Sequence, residues 1–238
     1  FPQLLEWVNP TVNNSADRVC SPSHGSNDCI QFLSHEKHFT DAAVSQAAIW
    51  VIHQSLLPKV AASLESVSVL TTNQVDIAMA MIIQKFFAPN ARQLVDWQGI
   101  HPTAVIHSSA RLADNVDVGP YTVIGANVKI ETGSHIGSHC VIDMGCHIGP
   151  HSEIHSHVHI YAGVSLGEGC RILSMTVLGN SGFGFAGSKD GIHHIPHLGG
   201  LRLGNYVEVG SCSTIARGTI DDTVIGDNCK FDCHCHIA

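Results

Sequence analysis

The amino-acid sequence predicts a mainly β fold, in which a parallel β-helix follows a small α/β domain. Two observations carry this prediction. From Ile100 to Leu178 an aliphatic residue recurs at every sixth position without exception. Four positions after each of these residues, up to Ile172, lies a small or β-branched residue such as Ala104 or Val116. A six-residue period is typical of a solenoid built from hexapeptides, whereas an α-helix would need a period of about 3.6 residues.

The repeat also predicts which side chains point inward. Successive side chains of a strand point to opposite faces, so the aliphatic residues would stack in inner columns and the small residues would fill the remaining interior. The period breaks after Leu178, where residues 179–200 form an insertion rich in Gly and His, and it resumes at Leu203. A loop of about twenty residues within a compact solenoid is uncommon and suggests a function. Its Phe183 and Phe185 are poor choices for a plain solvent-facing connector.

The first part of the chain, residues 1–97, lacks this period and reads as a small mixed α/β domain, while residues 98–238 form the β-helix domain. Three short strands are predicted, at residues 30–33, 48–52 and 67–70. After Asn73, a candidate N-cap, the spacing of apolar residues predicts an amphipathic helix over residues 74–87. Its predicted buried face consists of Val75, Met79, Ile82 and Phe86. Residues 89–99 are expected to link the two domains.

Composition excludes several classes of protein. With 44% hydrophobic and 13% charged residues the chain is a folded globular protein, and a formal charge of −8 offers no basic surface for nucleic acid. No apolar run of about 18 residues and no export signal is present, so we expect no membrane span and a cytoplasmic location. Nine cysteines, an odd count in a chain without an export signal, are expected to be reduced thiols.

Four motifs lie outside or at the edge of the regular repeat: Gly182-Phe183-Gly184-Phe185, Ile195-Pro196, Arg217-Gly218 and the Asp221–Gly226 segment DDTVIG. Together they resemble one family, the UDP-3-O-acylglucosamine N-acyltransferases of lipid A (lipopolysaccharide) biosynthesis. The resemblance implies a left-handed β-helix behind a uridine-binding domain, in a cytoplasmic homotrimer with active sites between adjacent β-helices. It implies transfer of a 3-hydroxyacyl chain from the phosphopantetheine of acyl carrier protein to the 2-amine of a UDP-sugar, with no further cofactor.

The resemblance also implies where the catalytic base lies. In the family a histidine removes the amine proton while a backbone N–H stabilises the oxyanion, and that histidine follows an Ile-Ala pair. Here Ile237 and Ala238 are the last two residues of the sequence. We therefore expect the general-base histidine immediately after Ala238, with further coils beyond it, and we expect the 238-residue chain to be inactive.

Five residues are candidate substrate contacts by the same resemblance. Phe32 matches the aromatic residue that stacks on uracil, although an ordinary core phenylalanine would also suit its strand. His35 and His38 stand where the family commonly has Asn and Tyr, and each could bond a phosphate or stack on a base. Asp232 matches an active-site Asp, and His236 stands where the family often has Gln. The insertion either borders the acyl or glucosamine pocket or packs on the next subunit.

Departures from the family pattern leave other functions open. Ala216 replaces an Asp and Cys233 an Asn, which allows a divergent paralogue with an altered donor or reduced activity. A non-catalytic paralogue that binds a nucleotide sugar or acyl carrier protein is a separate alternative. Other hexapeptide enzymes, an acetyl-CoA-dependent transferase or a metal-dependent hydratase, are further alternatives. Within the regular repeat only His139 and His157 are one coil apart, so we expect them to stack.

A metal site at the end of the sequence is a further possibility that the repeat argues against. Cysteines and histidines crowd residues 229–236 and invite a zinc hypothesis. In the six-residue register, however, Cys229 and Cys235 fall at the small inward position. We expect them to act as small core residues, and we predict no metal ligands.

Overall fold

The computed structural model describes residues 5–8, 14–38, 46–60, 67–88 and 97–238 of the chain. By its internal contacts the chain divides into two compact units, residues 1–90 and 91–238. The expected link between the domains falls largely on residues 89–96, which lie outside the described residues. The role of the first unit in binding a nucleotide stays a prediction.

The first unit is built on a five-stranded sheet in the order β1-β5-β4-β3-β2. Its strands are β1 Glu6–Trp7, β2 Arg18–Val19, β3 Cys29–Leu33, β4 Ile49–His53 and β5 Ser68–Thr72. Strands β2 to β5 pair in parallel, and β1 is antiparallel to β5. The three predicted strands are confirmed, because β3, β4 and β5 each match one of them to within two residues.

The helices of this unit are short. Two 3-10 turns lie at Glu36–His38 and Gln54–Leu56, and the helices are α1 Leu57–Val60 and α2 Val75–Ile82. Helix α2 continues into a π-helical turn, Ile83–Phe87. Its N-cap is Gln74, one residue later than the Asn73 that the sequence favoured, and no side chain caps the helix N-terminus.

The buried face of α2 differs from the predicted one. Val75 and Ile82 are buried as predicted, but the third buried residue is Ala78 rather than Met79, which is 36% exposed. Phe86 is 64% exposed. Phe86 lies within the π-helical turn, whose wider spacing rotates it away from the face that a regular helix would keep.

The second unit is a solenoid of three parallel sheets, which confirms the predicted hexapeptide β-helix. The Val105 sheet consists of β6 Val105–Ile106, β9 Val123–Ile124, β12 Val141–Ile142, β15 His159–Ile160, β18 Val177–Leu178, β23 Thr214–Ile215 and β26 His236–Ile237. The Arg111 sheet consists of β7 Arg111–Leu112, β10 Lys129–Ile130, β13 His147–Ile148, β16 Ser165–Leu166, β21 Leu201–Leu203 and β24 Thr223–Ile225. The Asp117 sheet consists of β8 Asp117–Val118, β11 His135–Ile136, β14 Glu153–Ile154, β17 Arg171–Ile172, β22 Glu208–Val209 and β25 Lys230–Phe231.

The strand register places aliphatic residues in columns. Ile142 lies opposite Ile124 on one side and Ile160 on the other, and each is at most 1% exposed. The same offset recurs in all three sheets, so the predicted inner columns are confirmed. Ile100 is the exception: it begins its column with an isolated bridge to Val118 and is 54% exposed.

Polar side chains can occupy the small inner positions because each of them donates a hydrogen bond to a backbone carbonyl. The Thr122 hydroxyl donates to the Gly137 carbonyl at 2.7 Å, and the Cys140 thiol donates to the His155 carbonyl at 3.0 Å. A buried hydroxyl or thiol with such a partner avoids the cost of an unmade hydrogen bond. Burial also raises the pKa of Cys140, and that of Cys146, to about 11, so both stay protonated near neutral pH.

We expect the inner columns to carry the stability of the second unit. Ile148 is fully buried, so Ile148→Ala should lower the free energy of unfolding by about 2–5 kcal/mol through lost burial and a cavity. Met144, 63% exposed, offers a control whose replacement by Ala should change it by no more than about 0.5 kcal/mol. Urea unfolding followed by circular dichroism measures both, and equal shifts would contradict the assignment of the column.

Candidate functional site

The insertion leaves the β-helix after β18 and forms a two-stranded antiparallel hairpin, β19 Phe185–Ser188 and β20 Gly191–His194. All eight strand residues are exposed. The chain then returns to the solenoid at β21, where Leu203 pairs with Leu166 as if no insertion had occurred. The insertion is therefore an addition to the surface of an uninterrupted β-helix.

An aromatic cluster lies where the hairpin meets the solenoid, and its members are Phe183, Phe185, His194 and His197. The ring centroids of Phe183 and Phe185 are 4.9 Å apart, and His194 meets Phe185 edge-on at 5.3 Å. The rings of His194 and His197 are 6.4 Å apart. Phe183 is 91% exposed, which is unusual for a large apolar side chain and is typical of a binding surface.

The two glycines of the GFGF motif make room for one histidine. A Cβ atom on Gly182 would lie 2.9 Å from Nε2 of His197, and one on Gly184 would lie 2.9 Å from its Cε1. His197 therefore rests on the backbone of the motif, a contact that any side chain at either glycine would displace. His197 was not among the residues predicted from the sequence, in which its one signal is its place directly after Ile195-Pro196.

The hydrogen bond of His197 indicates which of its two ring nitrogens carries the hydrogen. Nδ1 lies 3.1 Å from the carbonyl oxygen of Ile195. Since a carbonyl only accepts, Nδ1 carries the hydrogen in this contact, and Nε2 of the neutral ring is left as an acceptor. The cluster thus offers one hydrogen-bond acceptor beside two phenyl rings.

Arg217 ties the start of the insertion to the solenoid. Its Nε donates to the carbonyl of Gly179 at 2.8 Å, and its Nη2 donates to the carbonyl of Ala162. The backbone N–H of Arg217 donates to the carbonyl of Asn180 at 2.9 Å. Charged donors on carbonyl groups are strong hydrogen bonds, so Arg217 holds residues on two neighbouring coils in place.

Asp222 ties the end of the insertion in the same way. Its carboxylate accepts the N–H of Gly200 at 2.6 Å and pairs with Nε of Arg202 at 2.5 Å. These two contacts, the backbone one first, lower the pKa of Asp222 below its ordinary value. A Cβ on Gly199 would lie 2.1 Å from the carbonyl oxygen of Asp221, so only glycine permits this close approach. The DDT segment therefore serves as the seam that closes the insertion.

The candidate residues Asp232 and His236 lie on the last described coil, and both are exposed. The carboxylate of Asp232 accepts the N–H of Cys233 at 2.8 Å. His236 pairs with Thr214 across the ladder, and the carbonyl of Ile237 accepts the N–H of Ala216 at 2.8 Å.

Ala216 connects this coil with the aromatic cluster. A Cβ on Gly182 would meet the Cβ of Ala216 at 3.7 Å, so the residue that replaces the family's Asp lies beside the GFGF motif. Whether Asp232 and His236 contact a substrate stays a prediction.

The candidate nucleotide contacts of the first unit have different environments. Phe32 lies on β3 and is half-buried against Ile30 and Val51, a position that suits a core residue as well as a stacking platform. His35 is exposed. The backbone of His38 ends a 3-10 turn, and its side chain lies outside the described part of the structure. Uracil stacking and phosphate contacts therefore remain predictions.

Among the described residues, no group of three or more His, Cys, Asp or Glu side chains lies close enough to hold a metal ion. The predicted stacking of His139 on His157 is confirmed, with ring centroids 5.0 Å apart and parallel planes. In the same parts of the chain, no helix is long and apolar enough to cross a membrane.

Comparison with known proteins confirms the resemblance that the motifs predicted. A UDP-3-O-acylglucosamine N-acyltransferase of Acinetobacter baylyi is 38% identical over 203 residues, which is 85% of this chain and 55% of that protein. An enzyme of the same name from Chromohalobacter salexigens is 46% identical over 156 residues, 66% of this chain and 44% of that protein. The chain spans about half the length of the curated relatives it matches.

Two further similarities cover less of the chain. The family model of the GMPPB C-terminal domain matches residues 100–181. The crystal structure of the UDP-N-acetylglucosamine acyltransferase of Francisella novicida is 28% identical, over 58% of this chain and 43% of that one, with a TM-score of 0.41.

The seam at Asp222 should depend on pH. Asp222→Asn keeps an acceptor for Gly200 but loses the charge opposite Arg202, so we expect a lower melting temperature at pH 7. Because the folded pKa of Asp222 lies below its ordinary value of 3.8, the stabilisation is present above that value and is lost as the pH falls further. Melting curves from pH 7 to pH 2.5 should therefore converge at the acidic end.

Asp190, exposed in the hairpin turn, provides the charge-matched control. Asp190→Asn removes the same charge without touching the seam and should leave the melting temperature at pH 7 unchanged. A loss as large as that of Asp222→Asn would show that net charge, rather than the Gly200 and Arg202 contacts, produces the effect.

Proposed function

We propose that this chain is the nucleotide-binding and β-helical part of an acyltransferase that acts on UDP-3-O-acylglucosamine. The observation that carries the proposal is the 38% identity to an N-acyltransferase of that name over 85% of the chain. The insertion adds to the β-helix a surface that the repeat alone does not require. This surface is formed by the GFGF motif and His197, and the DDT seam closes it. That surface is where we expect the acyl chain.

In the proposed reaction, the 2-amine of the sugar attacks the thioester carbon of a 3-hydroxyacyl chain carried by acyl carrier protein. A carbon–nitrogen bond forms, the carbon–sulfur bond breaks, and the phosphopantetheine sulfur leaves with a proton. The general base is the histidine expected after Ala238. In the register that pairs Ile237 with Ile215, that position would fall beside Arg217.

The aromatic cluster supports binding of the acyl chain. Phe183 and Phe185 present an exposed apolar surface beside the Nε2 acceptor of His197. Burying each methylene of an acyl chain against such a surface contributes about 0.8 kcal/mol, and the 3-hydroxyl group could donate to that nitrogen. We assign Phe32, His35 and His38 to the uridine diphosphate, and Asp232 and His236 to the glucosamine.

A homotrimer and a cytoplasmic location complete the proposal. The insertion exposes Ile192 and Leu198 at 78% and 82%, and apolar side chains of this kind are stabilised when another copy covers them. Three copies related by a threefold axis would place the hairpin of each subunit against the neighbouring subunit.

The cytoplasm is proposed as the location because acyl carrier protein, the expected donor, is found there.

The reaction is tested with the full-length protein. We expect it to transfer a 3-hydroxyacyl chain from acyl carrier protein to UDP-3-O-acylglucosamine, and we expect at least a hundredfold loss of kcat when the histidine after Ala238 is changed to alanine. His151→Asn, on a distant corner, serves as the histidine control and should keep full activity. Mass spectrometry of the product measures both.

Other outcomes of that assay distinguish the alternatives. Transfer from coenzyme A thioesters but not from acyl carrier protein would indicate an acetyl-CoA-type transferase. Binding of the UDP-sugar without transfer would indicate a non-catalytic paralogue. Either result would overturn the proposed reaction.

The oligomer has its own test. We expect the full-length protein to be trimeric by light scattering, and the double change Ile192→Ser and Leu198→Ser to shift the population toward monomer at micromolar concentration. Lys189→Ser, exposed in the hairpin turn, is the matched control and should leave the trimer intact. A trimer that survives the double change would show that the hairpin does not form the interface.

A further inference from the structure

One corner of the β-helix carries bulky side chains in a strained backbone conformation. This corner, which joins the Asp117 sheet to the Val105 sheet, has at equivalent positions Tyr121, His139, His157, Met175, Cys212 and His234. We call these residues the corner column. Their φ angles lie between 56° and 64°, the left-handed region that side chains with a Cβ atom disfavour.

The other corners mostly avoid this strain. Their equivalent positions carry Asn or Gly at Asn115, Asn127, Gly133, Gly145, Gly163, Gly169 and Asn228, with His151 and Tyr206 as exceptions. Gly and Asn occupy left-handed backbone at little cost, whereas Met, Cys and Tyr do not. The solenoid geometry therefore does not account for the side chains of the corner column.

Backbone hydrogen bonds place the members of the column one coil apart. The N–H of Met175 donates to the carbonyl of Ser156, the residue before His157, at 3.3 Å. In the same way Cys212 follows Met175, through the carbonyl of Ser174 at 3.1 Å. The parallel rings of His139 and His157, 5.0 Å apart, show that side chains in this column project side by side.

Two sulfur atoms meet in this column. The Cys212 thiol lies 4.0 Å from the thioether sulfur of Met175, and both residues are exposed to solvent. Metal–sulfur bonds are about 2.3 Å long in zinc sites, so one ion of similar size could bond both sulfur atoms at this separation. His157 precedes Met175 by one coil, and His234 follows Cys212 by one coil. A thiolate, a thioether and imidazoles thus lie along one line.

We propose that Met175 and Cys212 bind a single Cu(I) ion, with an imidazole of His157 or His234 as the third ligand. Soft thiolate and thioether ligands select Cu(I) over harder cations, and the corner column contains no carboxylate that would favour Mg²⁺ or Ca²⁺. Cys212 loses its proton to solvent when the ion binds, because the thiolate is the ligand. The site lies on a different corner from the insertion.

The test is a Cu(I) titration of the full-length protein under anaerobic, reducing conditions, in competition with a chromophoric Cu(I) chelator. We expect one ion per chain in this site. Cys212→Asn should lower its affinity at least tenfold, and Asn suits the left-handed backbone, so the fold is kept. Met175→Leu, which keeps the shape but removes the thioether, should also lower the affinity at least tenfold.

Two controls separate this site from general thiol or histidine binding. His151 lies on another corner, one coil after Gly133 and one coil before Gly169, and its φ of 56° matches those of the corner column. His151→Asn should leave the affinity unchanged. Cys233→Ser removes another exposed thiol and should also leave it unchanged. If Met175→Leu has no effect, or Cys233→Ser weakens binding as much as Cys212→Asn does, the copper merely binds exposed thiols and the proposal is wrong.

Discussion

The structure of the second unit depends on the register in which each coil lies on the one before it. Parallel pairing places Ile142 between Ile124 and Ile160, so every inner aliphatic residue packs on another of its kind. Every strand also exchanges backbone hydrogen bonds with its neighbours in the same sheet. Because side chains alternate across a strand, a shift of one residue would turn a whole column toward solvent. Burial and hydrogen bonding therefore enforce the same register.

This register explains why a long insertion does not disturb the solenoid. Strand β21 pairs with β16 through Leu203 and Leu166, so the ladder resumes after the insertion in its former alignment. Two side chains close the gap: Arg217 donates to carbonyl groups on the two preceding coils, and Asp222 accepts from Gly200. The hairpin is thus free to carry apolar side chains, because none of them is needed for the core.

The same register makes the corners a ladder of outward positions. Residues at one corner recur once per coil and project in parallel, as the stacked imidazoles of His139 and His157 show. A set of side chains that is far apart in sequence, such as Met175 and Cys212, is thereby brought into contact. The inner columns stabilise the solenoid, so residues at the corners and in the insertion can take part in binding without a role in the core.

Much of this could be predicted from the sequence, because a six-residue period is a direct consequence of strand alternation and coil length. The inner columns, the interruption after Leu178 and the stacking of His139 on His157 all followed from counting positions. The face of α2 did not, since a π-helical turn changes the periodicity that placed Phe86 inside. The spacing of residues alone also could not reveal that Ile100 is exposed. Ile100 begins its column, and a side chain in a column is buried only when a coil lies on both sides of it.

The candidate site was less predictable than the fold. The GFGF motif pointed to the insertion, but the packing of His197 on Gly182 depends on a hairpin whose path the sequence does not encode by any period. The contact between Met175 and Cys212 was missed for a related reason: the insertion lengthens that coil, so the two residues are not separated by the usual interval. A motif indicates where a site lies in the sequence, whereas the contacts within the site depend on the path by which the insertion returns to the solenoid.

The central claim, that the six-residue register determines the structure, is tested most directly by inserting one alanine at two places. Between Gly149 and Pro150 the extra residue shifts the register, and the account predicts loss of cooperative thermal unfolding by circular dichroism. Between Lys189 and Asp190, in the hairpin turn, the same insertion should leave the melting temperature almost unchanged. Equal tolerance of both insertions would contradict the account.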